Sequence, residues 1–146
     1  MTFGLLALIA AALFTGAAFY VNVVEQPARL LLDDRALLTE WKPSYRRGAA
    51  MQAPLALVGF LLAMIAWWQT SEAGFLIGGV AIVAAWPWTL IGIKPTNDAL
   101  LATEPDKAGP QMRALVVKWG ALHAVRTGLG ALATVACLCA CLSRYP

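Results

Sequence analysis

The residues best suited to chemistry sit in an otherwise apolar stretch, WGALHAVRTGLG, residues 119 to 130, which holds the only histidine of the chain, His123, and an arginine three positions later, Arg126. On a helix turning by about 100° per residue, His123, Arg126 and Gly130 all fall within about 40° of Trp119, and the four form one narrow stripe. An imidazole exchanges a proton near neutral pH, and a guanidinium presents a planar fork of donors to an oxygen. The pair therefore suits proton transfer coupled to stabilisation of an anion. An arginine facing hydrocarbon costs roughly 3 kcal/mol, so the stripe is expected to face protein and to meet an acidic or amide partner.

Other polar residues are placed to meet it. Thr15, Phe19, Asn22 and Gln26 share an arc of about 60° on the first apolar run, with Glu25 beside them. The third run ends in IKPTNDALL, which supplies Asn97 and Asp98 just after Pro95. Simpler roles stand beside the functional ones. Asn97 and Asp98 suit the cap of a short helix, and Arg126 suits an ion pair with Glu25 that fixes helix register. Trp41, Tyr45, Trp86 and Trp88 suit interfacial anchoring as well as the walls of a site for a flat molecule.

These residues must be positioned by membrane-type helices. The 146-residue chain is 60% hydrophobic and 13% charged, against about 25% charged residues in ordinary soluble domains. Four runs, residues 3–24, 50–69, 73–93 and 114–142, match the roughly 20 residues that cross hydrocarbon. The expected fold class is all-α: an integral membrane four-helix bundle in a single domain over residues 1–146. QTSEAG makes a tight turn between the second and third spans, and Pro87 should bend the third. Between the first two spans, PARLLLDDRALLTEWKPSYRRG puts Leu30, Leu37, Leu38 and Trp41 on one face, with Asp33, Asp34, Arg35 and Glu40 mostly elsewhere. That pattern predicts an amphipathic interfacial segment, able to roof the polar cluster. Gly120, Ala124 and Gly128 form a small-residue stripe for close helix packing.

Charge sets the expected orientation. Arg29, Arg35, Lys42, Arg46 and Arg47 fall in the first connection, Lys94, Lys107 and Arg113 in the third, and Arg144 alone on the other side. The positive-inside rule then puts the long connections in the cytoplasm and both termini outside, in a bacterial inner membrane. The net charge of +3 reflects this topology, which leaves no case for nucleic-acid binding. No Lys or Arg precedes Arg29, which argues against reading the first run as a signal peptide. Cys137, Cys139 and Cys141 point in different directions on a helix and show no zinc spacing, so no metal site is expected.

TGAAFYVNVVEQPARL, Trp41, Tyr45, IKPTNDALL and WGALHAVRT together resemble the small four-helix membrane proteins grouped with the anthrone oxygenases. The resemblance covers nearly the whole chain, and its most specific parts are P-T-N-D and W-x-x-x-H-x-x-R. It implies oxidation of a polycyclic anthrone to a quinone by molecular oxygen, without metal or flavin. In that reading His123 is the base, Arg126 and Asn97 stabilise the oxyanion, and Asp98 or Glu25 orients His123. Asn22, Glu25, Trp41, Tyr45, Trp88 and Trp119 then line the substrate site. The partners would be lipid, a small hydrophobic aromatic substrate and O2, and a homo-oligomer stays open. Two other readings compete: a haem protein with His123 as axial ligand, and a non-enzymatic module that binds or moves a small hydrophobic molecule.

Overall fold

The computed structural model describes residues 1–144. Four long helices account for nearly all of them: α1 (Thr2–Arg29), α2 (Asp34–Thr70), α3 (Ala73–Ala102) and α4 (Pro110–Leu142), each long and apolar enough to cross a membrane. No strand occurs among the described residues. Asp33 starts α2 by accepting a hydrogen bond from the Ala36 amide at 2.9 Å. Ser71 ends it in the left-handed conformation, with φ of 59°, so α2 and α3 fold back as a tight hairpin. Each helix packs mainly on two neighbours in a ring, and the diagonal pair α2 and α4 meets through a few large or polar side chains, Trp41 with Trp119 and Gln52 with Arg126.

Small residues bring the helices close over most of the bundle. A Cβ added at Gly74 would lie 2.6 Å from the Ala136 carbonyl oxygen, and one at Gly130 would lie 2.8 Å from Thr15 Oγ1. The core there is built around Phe14, Phe75 and Ile82 set among alanines. Towards the α1–α2 and α3–α4 connections the core changes character, to Leu37, Leu38, Trp41, Ile93, Leu100, Val116 and Trp119. A cavity opens at this end, bordered by Ile93 and Trp119 of this cluster.

Several local features depart from the sequence reading. The amphipathic segment is not a separate interfacial helix but the first part of the 37-residue α2, continuous through Pro43 and Pro54. Its apolar face is buried under α3 and α4, because Leu37, Leu38 and Trp41 pack against Leu100, Val116 and Trp119. Of the small-residue stripe on α4 only Gly120 is tightly packed, while Ala124 is exposed and Gly128 has nothing within 4 Å of an added Cβ. Phe19 is likewise exposed and contributes nothing to the polar stripe of α1.

Prolines shape α1 and α3. Pro87 interrupts α3 near Ala84, as a residue without an N–H must leave the carbonyl four positions back unsatisfied. Two π-helical turns, Val21–Glu25 in α1 and Thr89–Ile93 in α3, each end two residues before a proline, Pro27 and Pro95. Widening the turn accommodates the missing donor and rotates the residues that follow.

Candidate active site

The cavity has a volume of about 400 Å³ and is lined from all four helices, a size within the range of small-molecule sites. Both π-helical turns border it, through Val21 and Glu25 on one side and Thr89 and Ile93 on the other. Tyr20 and Met51, each about half exposed, form its rim between α1 and α2.

His123 is buried on its wall. Its Nδ1 lies 2.9 Å from Asn22 Oδ1. Asn22 Nδ2 donates to the Gly120 carbonyl at 2.8 Å, and Thr127 Oγ1 donates to Asn22 Oδ1 at 2.8 Å. A backbone carbonyl only accepts, so the amide group of Asn22 is fixed and its oxygen must receive the hydrogen of Nδ1. In the neutral ring Nε2 then carries the lone pair, and among the described residues it has no hydrogen-bond partner. Trp119 stacks on the imidazole at 4.9 Å and fixes its plane.

Arg126 reaches the cavity one helical turn further along α4. Its Nη1 donates to Thr89 Oγ1 at 3.0 Å and its Nη2 to Gln52 Oε1 at 2.9 Å, while its Nε has no partner among the described residues. The guanidinium carbon lies 5.6 Å from the Phe14 ring centre. Among the described residues no carboxylate pairs with it. A partly buried cation held only by neutral oxygens keeps its charge uncompensated, and such a site attracts an anion.

The third unit joins α2, α3 and α4. Trp119 Nε1 donates to Asn97 Oδ1 at 2.9 Å, and Asn97 Nδ2 donates to the Tyr45 hydroxyl oxygen at 3.1 Å. Tyr45 stacks on Trp41 with ring centres 5.0 Å apart and planes within 3°, and Trp41 meets Trp119 edge-on at 5.6 Å.

Among the residues expected at the site, His123, Arg126, Asn97, Glu25, Tyr45 and Trp119 share the cavity wall, and Asn22 stands directly behind His123. Others lie elsewhere. Asp98 points away from the cavity and pairs with Lys94 at 2.5 Å, both side chains more than half exposed, so it does not orient His123. Glu25 does not orient it either, nor does it pair with Arg126: its carboxylate binds the Arg29 guanidinium and the Ser44 hydroxyl. The group that holds His123 is Asn22. Trp41 backs Tyr45 from the core, and Trp88 donates to the Leu122 carbonyl at 3.0 Å outside the lining. Asn97 spends its amide on Trp119 and Tyr45, so it acts on the site by holding their rings and hydroxyl.

Gln52, Thr89 and Ser44 line the cavity and were not singled out by the sequence reading. The signal for Gln52 was present, since a lone amide within an apolar run is expected to face inward. Arg29 is buried against Glu25, Glu40 and Ser44, with its guanidinium 5.8 Å from the Trp119 ring centre. The cysteines lie at the far end of α4. Cys137 and Cys141 are buried and Cys139 is exposed, and all are free thiols. No group of three or more His, Cys, Asp or Glu among the described residues is arranged to hold a metal ion.

Four apolar helices enclose a cavity that carries an oriented histidine and an arginine with no carboxylate partner among the described residues, which makes this an all-helical protein with one polar site inside an apolar bundle. The chain belongs to the anthrone oxygenase family, whose model matches residues 41–136. It is 31% identical to an anthrone oxygenase of Claviceps purpurea over 140 aligned residues, covering 83% of this chain and 78% of the relative. It is 29% identical to the anthrone oxygenase tpcL of Aspergillus fumigatus over 131 residues, covering 83% and 81%. No solved structure matches. Both relatives are fungal and lend no support to the expected bacterial inner membrane.

Proposed function

We propose that the protein is a membrane-embedded oxygenase that converts an anthrone-like polycyclic substrate to its quinone with O2 and needs no metal or organic cofactor. The observation that carries this reading is the pairing, in one cavity, of a His123 Nε2 and an Arg126 that have, among the described residues, no hydrogen-bond partner and no carboxylate partner respectively. The apolar outer faces of α1 to α4 would rest in lipid, with the charged connections on the cytoplasmic side. A hydrophobic substrate then enters from the bilayer past Tyr20 and Met51, the exposed rim of the cavity.

The chemistry follows from the substrate class. The methylene of an anthrone is acidic because its anion is a delocalised phenolate. His123 Nε2 takes one methylene proton, and the charge that develops on the carbonyl oxygen is held by Arg126. The electron-rich anion reduces O2 one electron at a time and the two join at the former methylene carbon as a peroxide. Loss of water from that peroxide leaves the quinone. In sum, anthrone and O2 give quinone and water, so the substrate supplies every electron that the oxygen takes up. The expected result with purified protein and anthrone is one O2 consumed per quinone formed, with no added flavin and with a metal chelator present. Oxygen uptake no faster than in protein-free solution would sink the reading. A Soret band in the purified protein would instead assign His123 to haem.

A further inference from the structure

We infer that Tyr45 is the proton donor that releases water from the peroxide, and that Asn97 positions it. The inference rests on the anthrone-oxidising reading above, and it comes from the direction of hydrogen bonds that can run only one way.

An indole N–H donates and never accepts. Trp119 Nε1 therefore fixes the oxygen of Asn97 towards itself, at 2.9 Å. The other end of the Asn97 amide can then only donate, and it donates to the Tyr45 hydroxyl oxygen at 3.1 Å. That bond occupies a lone pair of the phenol and leaves the phenolic hydrogen without an acceptor on Asn97. Among the described residues no other group accepts it, and Tyr45 lines the cavity. The Trp41 ring, parallel to Tyr45 at 5.0 Å, prevents the phenol from turning away. A second asparagine does the reverse on the other wall: Asn22 receives the Nδ1 hydrogen and leaves His123 with a lone pair. The cavity thus holds one oriented acceptor and one oriented donor.

The second half of the reaction requires both. The peroxide intermediate carries one remaining hydrogen on the oxidised carbon. His123 Nε2, which has returned its first proton to the peroxide, removes this hydrogen as a proton. The C–H electron pair becomes the second C–O bond of the new carbonyl, the O–O bond breaks, and its electron pair leaves on the distal O–H group. Tyr45 gives its proton to that group, which departs as water. The imidazolium then returns a proton to the tyrosinate, and both residues are restored.

The test compares wild type, Tyr45→Phe and Asn97→Leu, each shown to be folded by helical circular dichroism and a monodisperse elution in detergent. Anthrone is added first without oxygen, to follow formation of its anion, and then with oxygen, to follow quinone, hydroperoxide and O2. Tyr45→Phe is expected to form the anion as wild type does and to consume O2, but to make quinone about a hundredfold more slowly and to release a hydroperoxide instead. Asn97→Leu, which keeps the phenol but frees its orientation, should show the same diversion more weakly. A packing role for Tyr45 would not change the ratio of hydroperoxide to quinone. Quinone formed by Tyr45→Phe at the wild-type rate, or a loss confined to anion formation, would overturn the assignment and leave the proposed function standing. Failure of wild type itself to consume O2 with anthrone would instead overturn the reading beneath it.

Discussion

Replacing His123 with glutamine is expected to lower the turnover of anthrone by about 10²- to 10⁴-fold, the usual cost of removing a general base. That corresponds to roughly 3 to 5 kcal/mol of lost transition-state stabilisation. Glutamine has nearly the reach of histidine, and its amide can donate to Asn22 Oδ1 as Nδ1 does at 2.9 Å. The buried polar network around Asn22, Thr127 and Gly120 therefore keeps its partners, and the helices keep their packing. What the amide lacks is a basic lone pair at neutral pH. The loss should fall on kcat with little change in KM, since the cavity keeps its shape and its arginine. Steady-state oxygen uptake with folded protein checks this, and a variant that retains wild-type kcat removes His123 as the base.

Arg126→Met should reduce kcat by about 10²- to 10³-fold, as loss of an oxyanion donor does in other enzymes. Its effect on stability should run the other way. The guanidinium is held by Thr89 and Gln52 but neutralised by no carboxylate among the described residues, so the folded protein bears the cost of an uncompensated charge in a low-dielectric site. A thioether of similar length also suits the space beside Phe14. The thermal midpoint in detergent is therefore expected to stay level or rise while activity falls. A structural arginine would behave differently, and its removal would lower both. Arg126→Lys should be nearly as inactive, because an ammonium lacks the planar fork that reaches Thr89, Gln52 and a substrate oxygen together. Measuring kcat and thermal midpoint on the same three preparations separates the two roles.

The stripe of Trp119, His123 and Arg126 could be read from the sequence because helical period alone places them together, and α4 is a regular helix throughout. The four spans were legible for a similar reason, since length and hydropathy are local properties. The partners of the stripe were less so. Asn97 and Asp98 are adjacent, about 100° apart on a helix, and they follow the π-helical turn Thr89–Ile93. One added residue in a turn rotates everything beyond it, so no ideal wheel could say that Asn97 faces Trp119 while Asp98 faces outward to Lys94. The carboxylate expected behind His123 turned out to be an amide for a related reason. Glu25 lies at the end of the other π-helical turn, where buried Arg29 captures it one turn later on the same helix. The amphipathic segment carried the right pattern, but an apolar face looks the same whether it covers lipid or protein. Only the large side chains of α3 and α4 opposite Leu37, Leu38 and Trp41 decide for protein.

The most direct test of the central claim removes oxygen, so that proton abstraction is seen alone. Anthrone mixed with the protein under strictly anaerobic conditions, at a pH where free anthrone stays neutral, should develop the long-wavelength absorbance of its delocalised anion, reaching one anion per cavity. Arg126→Met should weaken this absorbance and His123→Gln should abolish it. No band with wild type, or an equal band with His123→Gln, would contradict the assignment of His123 and Arg126 as the base and the anion-holding group.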